Sequence, residues 1–229
     1  MQRRLWHALQ DLATGLWLHV KTHDTPAVFK GTSSLIAGAA AAYERVGAHR
    51  FRLEPESFFQ VNTEQMERLY AWIQEAAALQ KTHVVLDLYS GSGTIALTLA
   101  PSCARVYAVE INRQASLLAT RQASALGIDN CQFRTGKVER ILYRYLAQEL
   151  RADAAVLDPP RAGCHPDALQ ALARLRIPRL IYVSCSPPTL ARDLRRLYEL
   201  GYQTTGVQPF DMFPQTYHIE CVATLVRTE

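Results

Sequence analysis

The sequence predicts an α/β protein: a doubly wound, mostly parallel sheet with a C-terminal antiparallel hairpin and a small N-terminal segment. Three observations predict it. From His83 onward, short apolar runs rich in β-branched residues alternate with helical patterns, as in sheets covered by helices on both faces. The first of these runs, Val84 to Tyr89, closes on a glycine-containing turn that leads into a helix. The last two, Tyr202 to Val207 and Glu220 to Val226, have no helix between them, which suits an antiparallel pair at the sheet's edge.

Taken in order, Gly15 to Val20 reads as a strand, His23 to Ser34 is turn-rich, and Phe51-Arg52-Leu53 alternates like a short strand. Asn62, with Gln65 following, forms a capping-box pattern, and Met66, Leu69, Tyr70 and Ile73 then share one helical face. A boundary near Phe59 follows, with residues 1–59 as the N-terminal segment and 60–229 as the main domain. After the first run come a helix over Ile95 to Ala100, a strand over Arg105 to Val109, and a helix over Asn112 to Leu126 stopped by Gly127. Ala154 to Leu157 and Leu180 to Val183 are further buried strands. Helices over Ala168 to Leu175 and Thr189 to Leu200 accompany them, the second closed by Gly201. There is no internal repeat.

A chain of 229 residues, 48% hydrophobic and 20% charged, is long enough for one full domain with an attached segment. Its net charge of +4 is compatible with a nucleic-acid partner without requiring one. The five cysteines, Cys103, Cys131, Cys164, Cys185 and Cys221, are scattered and form no C-x-x-C pair. That pattern argues against a disulfide framework and against a metal site, and it suits reduced thiols. The longest apolar run, Leu35 to Tyr43, is too short for a membrane span, and Asp11 interrupts any signal-like core. A soluble, cytoplasmic, monomeric protein is expected.

Asp87-Leu88-Tyr89-Ser90-Gly91-Ser92-Gly93-Thr94 joins strand to helix. Gly91 and Gly93 let the backbone turn tightly and approach a ligand. A dinucleotide fingerprint wants a further glycine where Ala96 stands, and the G-K-[ST] of a P-loop is missing. Glu110 ends the next strand. An acid there suits the two hydroxyls of a ribose, and equally suits the start of the following helix. Paired with the glycine turn, the nucleoside reading leads.

In Leu180-Ile181-Tyr182-Val183-Ser184-Cys185-Ser186-Pro187-Pro188 an apolar run ends on a cysteine before two prolines. The thiol is expected where a buried strand opens onto a proline-bounded loop, on the ligand-binding edge of such sheets. Taken alone, Cys185 reads first as a small buried residue.

Five segments together resemble the RNA uracil-5 methyltransferases, which belong to the class I, Rossmann-like, S-adenosylmethionine-dependent enzymes. They are Ser57-Phe58-Phe59-Gln60-Val61-Asn62, Val85 through Thr94, Leu157-Asp158-Pro159-Pro160-Arg161-Ala162-Gly163, Tyr182-Val183-Ser184-Cys185-Ser186-Pro187, and Phe210 through Glu220. They occur in the family's order and cover the chain from about Phe51 to its end. The resemblance implies methylation of carbon 5 of a uridine in tRNA or rRNA, with S-adenosyl-L-methionine as cofactor. It implies Gln60, Tyr89, Gly91, Gly93, Thr94, Glu110 and Asp158 as cofactor-binding residues. It makes Cys185 the nucleophile that adds to carbon 6 of uracil and Glu220 the base that takes the proton from carbon 5. Pro159 shapes the base pocket, and Arg161 is available to the uracil edge or a phosphate. The target base must be single-stranded or flipped to reach the thiol.

The chain departs from the family pattern where Ser186 replaces an asparagine and Ser90 a cysteine. Neither the N-terminal RNA-binding β-barrel that the family usually has nor the iron–sulfur cysteine cluster of some members is expected in this sequence. A naturally short member or a fragment is expected, with residues 1–59 as the remnant of the family's central domain. Two alternatives stand beside this reading. An RNA cytosine-5 methyltransferase would carry a cysteine directly after Pro159-Pro160, where Arg161 stands. A cofactor- and RNA-binding module without catalysis would not need both Cys185 and Glu220.

Overall fold

The computed structural model describes residues 2–21, 31–55 and 59–228. They fall into two units, Met1–Phe59 and Gln60–Glu229. The first holds a helix, α1 (Gln2–Leu9), and the strands β1 (Gly15–Lys21), β2 (Gly31–Gly38), β3 (Ala42–Val46) and β4 (His49–Leu53). β1 pairs antiparallel with β2, and β3 with β4. The turn-rich reading of His23 to Ser34 is corrected in part. Gly31 to Ser34 extend in β2, because their backbone groups pair with Ser34's partner Leu18 and the residues after it, through Lys21. The rest of that stretch, and Ser57 and Phe58, lie outside the described residues.

The second unit runs α2 (Thr63–Ala77), β5 (Val84–Leu88), α3 (Thr94–Leu99), β6 (Arg105–Glu110), α4 (Arg113–Ala125), β7 (Cys131–Thr135), α5 (Val138–Ala147), β8 (Ala154–Leu157), α6 (Pro166–Leu175), β9 (Arg179–Ser184), α7 (Pro187–Glu199), β10 (Tyr202–Phe210) and β11 (Glu220–Arg227). Its seven strands form one sheet in the order β10-β11-β9-β8-β5-β6-β7. β5 to β9 are parallel to their neighbours, while β11 is antiparallel to both β9 and β10. The expected hairpin is therefore present, with β10 at the edge and β11 inserted between it and β9. The doubly wound, mostly parallel α/β class is the observed one.

Local sequence explains the element ends. Asn62 caps α2 by accepting from the Gln65 amide (3.2 Å), and Asn112 caps α4 by accepting from the Gln114 amide (2.9 Å). Two expectations change. Pro187 and Pro188 do not bound a loop: they are the first two residues of α7, where a missing N–H costs nothing and the fixed φ suits the helix. Between Leu126 and Ala154 the structure adds β7 and α5, to which the sequence patterns assign no element. In α5, Val138, Ile141, Leu142 and Tyr145 are buried at helical spacing.

The core explains the layering. Strand β5 carries Val85, Leu86, Asp87 and Leu88 fully buried, as a central parallel strand covered on both faces must. On one side α5, α6 and α7 pack in a row; on the other, α2 lies against α3, β9 and β11. From β5 the chain winds outward through β6 and β7. It then returns to the opposite flank of β5 with β8. The strand order thus reverses between β5 and β8, the place beyond the carboxyl ends of the strands where open α/β sheets bind ligands.

Candidate active site

Along that rim the strands deliver one chemically active residue each. β5 delivers the glycine turn, β6 ends on Glu110, β8 is followed by Asp158, β9 by Cys185, and β11 begins at Glu220. The antiparallel direction of β11 puts its first residue, not its last, at this rim.

The turn after β5 is tied down from both ends. Ser90 N–H donates to the Val109 carbonyl (3.0 Å), and Gly91 N–H donates to Glu110 Oε2 (2.9 Å). Glu110 Oε1 also accepts from the Asn112 amide (2.6 Å). One carboxyl group therefore joins the glycine turn to the start of α4, and Glu110 is half-buried, with acceptor capacity beyond these two bonds. The two glycines have different reasons. Both have positive φ, +53° at Gly91 and +81° at Gly93. At Gly91 a Cβ would meet open space, so the turn can be approached from outside. At Gly93 a Cβ would come within 2.8 Å of Ala119 and Phe133, so that glycine serves packing. Tyr89 has φ +64°, a left-handed conformation that a tyrosine adopts only under constraint. Its ring packs on the core with the hydroxyl toward Cys164 and His165. Thr94, first in α3, shares a hydrogen bond with the Tyr70 hydroxyl (2.8 Å). Gln60 is half-buried just ahead of the α2 cap, and Asn62 Nδ2 of that segment donates to the Met212 carbonyl (3.4 Å) in the loop before β11.

Sequence reasoning missed Asp87 as a site residue. The signal was there, an acid inside the apolar run Val84-Val85-Leu86-Asp87-Leu88. Its side chain is fully buried; Oδ2 accepts from the Ala96 amide (2.9 Å), and Oδ1 has no partner among the described residues. Burial, and then the nearby Asp158 carboxylate, push its pKa up to about 8. Burial pushes Asp158 up to about 7. Asp87, Asp158 and Glu110 thus stand close together, where burial and mutual repulsion make it costly to ionise the two aspartates and a cation would favour their charged forms.

Cys185 and Glu220 meet at the other end of the rim. Cys221 pairs with Ser184 in the β11–β9 ladder, which sets the residues flanking that pair, Glu220 and Cys185, across from each other. Glu220 is buried (4% exposed), and its carboxyl is pushed up to about 8, first by burial and then by Asp158, against the pull of Arg161. Cys185 is half-buried. Burial raises its thiol pKa, Glu220 raises it further, and the Arg161 guanidinium beside it draws it back down. Arg161 is thus the neighbour that offsets part of the rise in the thiol's pKa, a contact that the sequence did not show. It stands in the turn after β8, behind the buried Pro159, and donates from Nη2 to His218 Nδ1 (3.3 Å). The His218 ring lies 4.2 Å from the ring of Tyr217, which is 89% exposed. Among the described residues no group of three or more His, Cys, Asp or Glu side chains could hold a metal ion, and no helix is long and apolar enough to cross a membrane.

Residues 44–228 match the family model of tRNA (uracil-5-)-methyltransferases. The chain is 41% identical over 207 residues to an uncharacterised RNA methyltransferase of Oceanobacillus iheyensis, covering 90% of this chain and 45% of that protein. It is 39% identical over 229 residues to another from Caldanaerobacter subterraneus subsp. tengcongensis, covering 99% of this chain and 51% of the relative. The chain thus spans about half the length of the curated relatives it matches. Among solved structures it is similar to the Pyrococcus abyssi tRNA (uracil-54, C5)-methyltransferase in complex with S-adenosyl-L-homocysteine. The TM-score is 0.79 at 29% identity, covering 95% of this chain and 53% of that one. With a matching fold, a matching family model over most of its length and these relatives, the chain belongs to the tRNA (uracil-5-)-methyltransferase family.

Proposed function

We propose that this chain methylates carbon 5 of a uridine in RNA, using S-adenosyl-L-methionine, with Cys185 as nucleophile and Glu220 as general base. One observation carries the reading: the β11–β9 register sets a buried carboxyl opposite a half-buried thiol, with Arg161 beside both.

The rim fits the cofactor. Asp87, Asp158 and Glu110 offer carboxyl groups to a ligand that carries positive charge on a sulfonium and an ammonium. Gly91 leaves room for close approach, and Asp87 Oδ1 and the Ser90 hydroxyl are buried acceptors with no partner among the described residues. Glu110 and the glycine turn would hold the nucleoside, with Tyr89, Thr94 and Gln60 flanking it. When bound, S-adenosylmethionine supplies an electrophilic methyl group that carbon 5 takes, leaving a neutral thioether.

Carbon 5 of uracil is a weak nucleophile, and the chain's own residues change that. Arg161 favours the thiolate of Cys185, which adds to carbon 6; a C–S bond forms, the carbon 5–carbon 6 π bond breaks, and the pair passes to carbon 5 and the adjoining carbonyl. After methylation Glu220 accepts the proton of carbon 5. The freed pair restores the double bond and expels Cys185 as thiolate. Glu220, with a pKa near 8, is poised to take and release a proton near neutral pH. Cys164 has no such role: it is buried, with its pKa pushed up to about 12. The position directly after Pro159-Pro160, where cytosine chemistry would place a second cysteine, holds Arg161.

The test is incubation of the protein with unmodified total RNA and methyl-labelled S-adenosylmethionine, followed by nucleoside mapping. Label in 5-methyluridine is expected. Label only in 5-methylcytidine, or none with the cofactor bound, would sink the proposal.

A further inference from the structure

Helix α7 starts two residues after Cys185, and its first two turns reach back to the turn that carries Arg161. Thr189 Oγ1 donates to the Arg161 carbonyl (3.0 Å). Arg192 Nη2 donates to the Ala162 carbonyl (2.8 Å). Asp193 Oδ2 accepts from the Cys164 amide (2.8 Å) and from the Tyr182 hydroxyl (2.7 Å), while Oδ1 accepts from Arg192 Nε (2.9 Å). The approach is so close that only glycine fits at position 163: φ is +79°, and a Cβ would collide with the Arg192 guanidinium and the Asp193 carboxylate.

Asp193 is fully buried. A carboxyl group is costly to bury, and three donors, one of them the Arg192 guanidinium, are what make it tolerable. An apolar residue of similar volume would have filled the space between α7 and β9. The carboxyl group instead bonds groups on β9, on α7 and on the Arg161 turn at once, fixing their separation. Arg161 itself is exposed and reaches the thiol only if its backbone is held. We infer that Asp193 is a positioning residue: through Cys164 and Arg192 it fastens the Arg161 turn to α7, so that the guanidinium stays beside the Cys185 thiol.

The inference rests on Cys185 as the nucleophile, yet its test needs neither RNA nor turnover. The readout is the pH profile of Cys185 alkylation by iodoacetamide, followed by mass spectrometry of the Cys185 peptide. The charged groups facing the thiol are Arg161, Glu220 and Asp158. Asp193→Asn and Arg192→Ala should each move the profile upward, slowing alkylation at pH 7.5 by about threefold to tenfold, as a smaller thiolate fraction would. Binding of S-adenosylmethionine should stay within about twofold in both. In an Arg161→Ala background neither substitution should shift the profile further. Profiles that coincide with the wild type, or shifts that are as large without Arg161 as with it, would overturn the inference. Should Asp193→Asn fail to fold, Arg192→Ala decides, since that side chain is 42% exposed. Methyl transfer surviving in Cys185→Ala would defeat the catalytic reading and leave the alkylation result standing.

Discussion

Glu220 stands across from Cys185 because Cys221 pairs with Ser184 where β11 runs antiparallel to β9. The direction of that one strand matters. A parallel β11 would bring its last residue to the rim and leave Glu220 at the far end of the sheet. The inserted, reversed strand is therefore what makes a thiol and a carboxyl neighbours on a sheet whose other strands present only their carboxyl ends.

Replacing that carboxyl should stall the reaction after the thiol has added. Glu220→Gln is expected to cut methyl transfer by about a hundredfold or more, the usual range for a lost general base. A protein–RNA adduct resistant to denaturation should accumulate, visible as a shifted band on a denaturing gel. Full activity, or an inactive protein with no adduct under conditions where the wild type turns over, would contradict the assignment.

The buried carboxyls predict how stability responds to pH. Asp87 and Glu220 reach about 8 and Asp158 about 7, each above its unfolded value. Such groups hold a proton in the fold that they lose on unfolding. Their contribution is present below about pH 4 and is lost as pH rises toward 8, at about 1.4 kcal/mol for each pH unit that separates a group's folded and unfolded values. The ligand-free protein should therefore unfold at lower urea at pH 8.5 than at pH 6, and Asp87→Asn should flatten the difference. An equal or higher midpoint at pH 8.5 would show that these groups are ionised in the fold.

The two glycines should fail differently. Gly93→Ala forces a methyl against Phe133 and Ala119, and overpacking of this kind costs about 1–3 kcal/mol. Gly91→Ala meets no neighbour and should bear only the strain of its positive φ, about 1 kcal/mol. The expected order in thermal melts is wild type, then Gly91→Ala, then Gly93→Ala. Relative to the stability each variant loses, S-adenosylmethionine affinity should change more in Gly91→Ala, read by calorimetry.

Tyr217 projects beside His218, whose Nδ1 accepts from Arg161, and its flat ring is exposed. Stacking of a base on such a ring is worth about 1–3 kcal/mol. Tyr217→Ala should raise KM for RNA about tenfold with little change in kcat, and Tyr217→Phe should behave as wild type. Equal loss in both variants would point to the hydroxyl instead of the ring.

What could be read from the sequence was local. The stretch from Asp87 to Gly93 announced its turn, because glycine after an apolar run is a property of adjacent residues. Asn62 announced its cap for the same reason, whereas Asn112, read as the first residue of its helix, is that helix's cap. The helix α5 was within reach, since Val138, Ile141, Leu142 and Tyr145 keep helical spacing and Gly136 stands just ahead of it, but Lys137 holds the cap position without a side-chain capping bond, so no capping residue marks its start. Strand β7 was not: Cys131-Gln-Phe-Arg-Thr is an edge strand with no alternation of burial. Pro187 and Pro188 misled because proline stops one element and starts another equally well. The relation of Cys185 to Glu220 depends on register across distant strands, which periodicity cannot express. The grip of Asp193 on the Arg161 turn depends on a side chain that, in sequence, is one acid among the arginines of α7.

The most direct test of the central claim is methyl transfer by Cys185→Ala, measured with labelled S-adenosylmethionine on RNA that the wild type methylates. Cofactor affinity is followed in parallel to show that the fold survives. Transfer is expected to be abolished while affinity stays within about twofold, because a nucleophile that adds to the base would make no bond to the cofactor. Transfer that persists at a substantial fraction of the wild-type rate would mean that carbon 5 is activated without Cys185, and the account would fall.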